Sequence, residues 1–231
     1  MSDNHAQRKD PQGHEITATP GRSRLALDRF LTFGAVVALF AVFSITAKNF
    51  FTMRNVLSLA LQTSTTTLMG IGVTFTIITA GIDLSIGSVI ALTGTVAVMA
   101  AIAGVPIWAS MLVGLITGIA CGLANGLLIT RLKLPPFIAT LGMMMVARGV
   151  ALTITNANAK PAPESFGALG NDSIFRVGSQ FPGISYPVLI MIAVAFICHF
   201  ILKKTRIGRY TYAVGSNEEA ARLSGIKVRW V

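Results

Sequence analysis

Asp83 is the residue whose chemistry fits its neighbours least. It lies in GIDLSIGS, residues 81–88, between two long apolar blocks. A carboxylate there suits a proton or cation site, a solute contact, or a helix cap. Ser85 and Ser88 suit the capping role as well, because the first N–H groups of a helix need acceptors and favour negative charge. A second polar cluster, Gln62-Thr63-Ser64-Thr65-Thr66-Thr67, interrupts another apolar block. Polar groups in hydrocarbon need partners, so Gln62, Thr63 and Thr66 either line a pathway for a hydroxylated solute or bond to neighbouring helices. Arg148, in MMMVARG, either faces a bundle interior or reaches out to the membrane interface. Asn125 and His199 are similarly isolated, and are read as satisfied locally or as functional.

Enzymatic chemistry finds no support in these residues. No G-x-x-x-x-G-K-[ST] loop is present, so ATP hydrolysis by this chain is not expected. No His, Cys and carboxylate cluster has metal-ligand spacing, and no Ser–His–Asp arrangement stands out. Cys121 and Cys198 both lie inside apolar blocks and read as free thiols packing as small hydrophobes. The expectation is a protein without catalytic residues, metal or cofactor.

The elements that must position these residues follow from composition. Hydrophobic residues make up 53% of the 231 and charged residues 12%, against about 25% charged in an average globular chain. Mean hydropathy is +0.68. The net charge of +10 does not point to nucleic acid, because the basic residues cluster at the ends and in one short loop. Apolar blocks run over 30–47, 56–80, 86–103, 107–129, 137–155 and 187–202. Each approaches the roughly 20 residues needed to cross about 30 Å of hydrocarbon, and helix is the state that satisfies its own backbone there. The first block is read as an uncleaved span, since its leader is too long for a signal peptide.

The expected fold is therefore all-α, a polytopic transmembrane helical bundle of about six spans. A disordered tail covers 1–29, the membrane domain 30–202 and a cytoplasmic segment 203–231. With the N-terminus inside, Arg8, Lys9, Arg22, Arg131, Lys133, Lys203, Lys204, Arg206, Arg209 and Arg229 are among the many inside basic residues. Only Lys48, Arg54, Lys160 and Arg176 fall outside. That asymmetry places both termini in the cytoplasm. The loop 156–186, rich in Pro and Gly, becomes an irregular outer cap. Gly114, Gly118, Gly122 and Gly126 recur every fourth residue and line one helix face, where a neighbouring backbone can approach closely. Static packing and a sliding interface both fit that stripe.

The segment after the last block, TRIGRYTYAVGSNEEAARLSGIKV, is the most informative. Ser216 followed by Glu219 has capping-box spacing, so a helix of about two turns is expected to start there. Gly225 is placed to end it. So short a helix is unstable alone and must pack on something.

Glu219-Ala220-Ala221, then three residues, then Gly225, resembles the EAA-type coupling loop of bacterial ABC importer permeases. The surrounding GRYTYAVGSNEEAARLSGI is similar to ribose-type permeases, and the resemblance extends through KLPPFIATLGMMMVARG, GIDLSIGS and NFFTMRN. It implies a multi-pass protein of the bacterial cytoplasmic (inner) membrane that moves a monosaccharide, ribose or a related sugar. It also implies a homodimer in membrane lipid, a cytoplasmic ABC ATPase, a periplasmic or extracellular sugar-binding protein, and no nucleic acid. Glu219, Ala220, Ala221 and Gly225 would be the ATPase contacts. Gln62, Thr63, Thr66, Asp83, Ser85, Asn125 and Arg148 are the pathway candidates. Family members continue with further spans, so a C-terminally truncated member is expected, whether a piece of a longer protein or the product of a shortened gene. The competing readings are an ion-coupled secondary transporter using Asp83 and a non-transporting membrane scaffold. A secondary carrier has no need of the coupling-type loop, and the polar block 62–67 argues against a scaffold.

Overall fold

A computed structural model describes residues 22–174 and 183–228. The Arg8, Lys9, Arg176 and Arg229 assignments, and the tail before Arg22, lie outside those residues. The chain divides into two compact units between Thr52 and Met53. In the first, helix α1 spans Arg22–Thr46. The helix therefore takes in the last residues of the stretch read as tail. The chain then turns through Asn49, which has φ 66°, and Thr52 N donates to Asn49 O at 3.1 Å. This turn sets Phe50 against Phe40 and Phe43, with ring centroids 5.0 and 6.3 Å apart.

The second unit contains α2 (Met53–Ile78), α3 (Ile86–Ile102), α4 (Ile107–Thr130), α5 (Pro136–Thr155), α6 (Glu164–Asn171), α7 (Tyr186–Lys204), α8 (Arg206–Ser216) and α9 (Glu218–Leu223). A two-residue antiparallel ladder, β1 (Ser173–Ile174) with β2 (Ile184–Ser185), precedes α7. Proline marks two helix starts, in the first turns of α5 and α7, where a missing N–H leaves no hydrogen bond unmade. Asn156, at φ 52° and ψ 39°, ends α5.

All six apolar blocks lie in helices, as expected of a helical membrane protein. Among the described residues, four helices, α2, α4, α5 and α7, are long and apolar enough to cross a membrane. The apolar part of α1, Leu31–Thr46, and α3 are shorter. The distribution of side chains is the reverse of a water-soluble bundle. Phe196 and Trp108 are 73% and 67% exposed, while Ser64 and Ser110 are fully buried. Such a pattern suits a lipid surround, in which small and hydroxyl residues pack between helices.

Within this unit α3 packs against α4 and α5, and α2 packs against α7 and α8. The glycine stripe on α4 serves only part of the first contact. A Cβ at Gly114 would stand 3.0 Å from Thr93 O and 3.1 Å from Ala97 Cβ, and one at Gly118 would stand 3.2 Å from Thr93 Cγ2. Gly122 and Gly126 have nothing within 4 Å of that position. Close helix approach is therefore confined to the first half of the stripe.

Candidate functional site

The connection between α2 and α3 joins the two helix groups, and its local structure follows from its sequence. At the end of α2, Ala80 N donates to Ile77 O at 2.9 Å and Gly81 N to Thr76 O at 2.9 Å. This is a Schellman-type ending, which needs a left-handed residue at the position Ala80 occupies. Ala80 has φ 58°, a conformation that costs an L-residue other than Gly about 1 kcal/mol. Gly81 follows where a Cβ would press on Thr76, at 3.1 Å from its Cγ2 and 3.3 Å from its O.

The next residues form a buried polar knot. Ser85 donates to Asp83 Oδ1 twice, from its N at 2.8 Å and its Oγ at 2.7 Å. Asp83 thus holds the chain ahead of α3 in a capping arrangement, whereas the Ser85 side chain caps nothing itself. Asn125 Nδ2, on α4, donates to Ser85 Oγ at 3.1 Å. Thr140 Oγ1, on α5, lies 3.1 Å from Ile82 O, 2.9 Å from Pro136 O and 3.3 Å from Phe137 O, its single proton shared among them. Ser85 and Thr140 are each 2% exposed. Asn125 Oδ1 is buried with no partner of its own.

A groove of about 740 Å³ begins beside this knot and follows α3 and α5. Leu84 and Ser88 line it near the knot, Thr95 and Arg148 line it further along, and Asn158 and Lys160 line it beyond α5. Gly87, Ala91 and Gly94 leave the room for it, since none carries a side chain beyond Cβ.

The pathway candidates thus fall into three places. Asp83, Ser85 and Asn125 come together in the knot. Arg148 stands in the groove. Gln62, Thr63 and Thr66 lie exposed on α2, where Gln62 Nε2 donates to Ser58 Oγ at 3.2 Å and Thr63 Oγ1 to Leu59 O at 2.7 Å. The hydroxyls of Thr63 and Ser64 are thereby satisfied within their own helix. Thr140, Thr95 and Lys160 are not among the pathway candidates that the sequence offers, because single hydroxyls in apolar blocks and a loop lysine carry no spacing signal for a site.

The segment after α7 forms two helices instead of one. Thr205 caps α8, its Oγ1 accepting from Gly208 N at 3.3 Å. Helix α8 takes in Ser216, so the cap of α9 moves one residue along, to Asn217, whose Oδ1 accepts from Ala220 N at 3.0 Å. The capping-box start at Ser216 is corrected accordingly. Gly225 ends α9 as expected: at φ 85° it donates to Arg222 O, and Ile226 N donates to Ala221 O. Arg222 and Glu218 pair at 2.8 Å on the exposed side. Ala221 is 5% exposed and packs inward, while Glu219, Ala220 and Gly225 are exposed. Leu223, which sequence reasoning passed over, is 82% exposed.

Comparison with known proteins gives this geometry its context. The family model described as "Branched-chain amino acid transport system / permease component" matches residues 55–231. The ribose import permease protein RbsC of Escherichia coli (strain K12) is 41% identical over 199 residues, covering 84% of this chain and 60% of the relative. The D-allose transport system permease protein AlsC of the same strain is 37% identical, over 91% of this chain and 64% of the relative. The fructose import permease protein FruF of Bifidobacterium longum is 40% identical, over 68% of this chain and 43% of the relative. The chain therefore spans less than two thirds of the length of these curated relatives. No solved structure matches it.

Proposed function

The chain belongs to this permease family, a family of multi-pass membrane proteins, and we propose that it is the permease subunit of an ABC importer for a monosaccharide. The observation that carries the proposal is its 41% identity, over 84% of its length, to a protein named as a ribose import permease. Further relatives named for allose and fructose widen the sugar class without choosing a member. ATP hydrolysis belongs to a separate cytoplasmic ATPase, and a sugar-binding protein delivers the solute from outside.

In this reading six helices cross the bacterial cytoplasmic membrane, both termini face the cytoplasm, and two copies assemble in lipid. The exposed face of α9, with Glu219, Ala220, Leu223 and Gly225, meets the ATPase. The groove along α3 and α5 supplies part of the solute pathway. Arg148 offers several donors to sugar hydroxyls there, and Ser88 and Thr95 offer smaller ones. The knot of Asp83, Ser85 and Asn125 holds that wall in shape. An ion-coupled carrier would want Asp83 free to exchange its ion, and its Oδ1 already accepts two hydrogen bonds from Ser85.

Native mass spectrometry of the protein taken from its own membrane in mild detergent tests the proposal. A dimer carrying two ATPase subunits is the expected result. A chain isolated without any ATPase would overturn it.

A further inference from the structure

On the reading just proposed, motion of the ATPase reaches the permease through α8 and α9. We propose that it enters the membrane bundle at Gly215, where α8 sits against the last carbonyl of α2, and passes from there through Gly81 and Ile82 to Thr140 of α5. Gly215 is then a positioning residue for transport, distinct from the residues that touch the ATPase.

At Gly215, α8 backs directly onto the end of α2. A Cβ at this position would overlap the Ile78 carbonyl oxygen and stand 3.3 Å from Thr79 Cα. Only a residue without a side chain lets α8 lie there. The other end of α8 is equally constrained. A Cβ at Gly208 would overlap the carbonyl oxygens of Ile201 and Leu202, so α8 folds back directly from α7. Held at both ends by backbone contacts with no soft side chain between, α8 transmits displacement instead of absorbing it.

Downstream of Gly215 the path is short. Ile78 ends α2, and the strained Ala80 and the crowded Gly81 follow within three residues. Gly81 also comes within reach of α5, with Pro136 Cβ 3.8 Å from its Cβ position. Ile82 O then meets Thr140 Oγ1. Beyond it, Asp83, Ser85 and Asn125 tie the start of α3 to α4. A shift of α8 against α2 therefore bears on the inner end of the α3–α4–α5 group, and the groove lies between two of those helices.

The test uses the complex isolated with its ATPase and binding protein and placed in liposomes. Uptake of labelled D-ribose, D-allose and D-fructose is measured together with ATP hydrolysis. Gly215→Ala and Thr140→Val should each keep the ATPase bound and hydrolysing, while ATP consumed per sugar moved rises about ten-fold. Thr140→Ser should restore the ratio, and Gly122→Ala, at an open position, should leave it unchanged. An unaltered ratio in Gly215→Ala or in Thr140→Val would overturn the relay. Should Gly215→Ala fail to reach the membrane, Thr140→Val decides. A wild-type complex that holds no ATPase or takes up none of the three sugars would overturn the functional reading, and the relay with it.

Discussion

Asn125 and Ser85, 40 positions apart, share a hydrogen bond of 3.1 Å, and each is nearly or fully buried. The bond joins the last third of one apolar block to the entrance of another. It gives the α2–α3 connection a fixed seat on α4. It also leaves Asn125 Oδ1 without a donor, so the amide depends on Ser85 for its one partner.

Replacing Ser85 with Ala removes that acceptor and one of the two donors to Asp83. Burying the Asn125 amide without any partner costs about 1–3 kcal/mol. The thermal midpoint in detergent should fall clearly, and an unchanged midpoint would show that the knot contributes nothing to stability.

Ala80 holds a left-handed conformation that Gly adopts freely. Ala80→Gly should therefore stabilise the fold by up to about 1 kcal/mol, the relief of strain exceeding the extra freedom of the unfolded chain. A lower denaturation midpoint in the variant would contradict this.

Gly114 and Gly122 test the two halves of the α4 stripe. Gly114→Ala presses on Thr93 O and Ala97 and should destabilise by about 1–3 kcal/mol. Gly122→Ala meets open space and should be neutral or slightly favourable, since Ala favours helix. Equal effects at both positions would remove the distinction.

Leu223 exposes an apolar side chain on the outer face of α9, where burial by a partner would be favourable. Leu223→Asp should weaken ATPase capture about ten-fold or more without changing the thermal midpoint of the isolated permease. Binding assays with the purified ATPase read the first and calorimetry the second; full retention of binding would take Leu223 out of the interface.

Arg148 lines the groove that Thr95 and Ser88 also line. Loss of hydrogen bonds from a charged group costs about 1.5–3 kcal/mol, so Arg148→Gln should reduce sugar uptake by about ten-fold or more. Surface biotinylation should find normal amounts in the membrane. Uptake at the wild-type rate would exclude Arg148 from the pathway.

The sequence alone determined the membrane class, because long uncharged apolar blocks have one stable backbone solution in lipid. It also identified the α9 region, since Glu219, Ala220, Ala221 and Gly225 lie close in sequence and Gly225 carries its own conformational demand. Local signals of that kind survive without tertiary context. The one-residue displacement of the cap to Asn217 came from α8, a helix whose extent depends on packing against α7 and α2. The tertiary structure alone decided which polar residues meet. Asp83 and Ser85 share one short motif, and only the folding of α4 onto α3 brings Asn125 to them. Thr140 was invisible because a lone hydroxyl inside an apolar block has nothing to mark its partner, Ile82 O, 58 positions away. Gly215 was equally hidden. Its role is set by a backbone carbonyl on another helix, and no spacing rule in the chain encodes that contact.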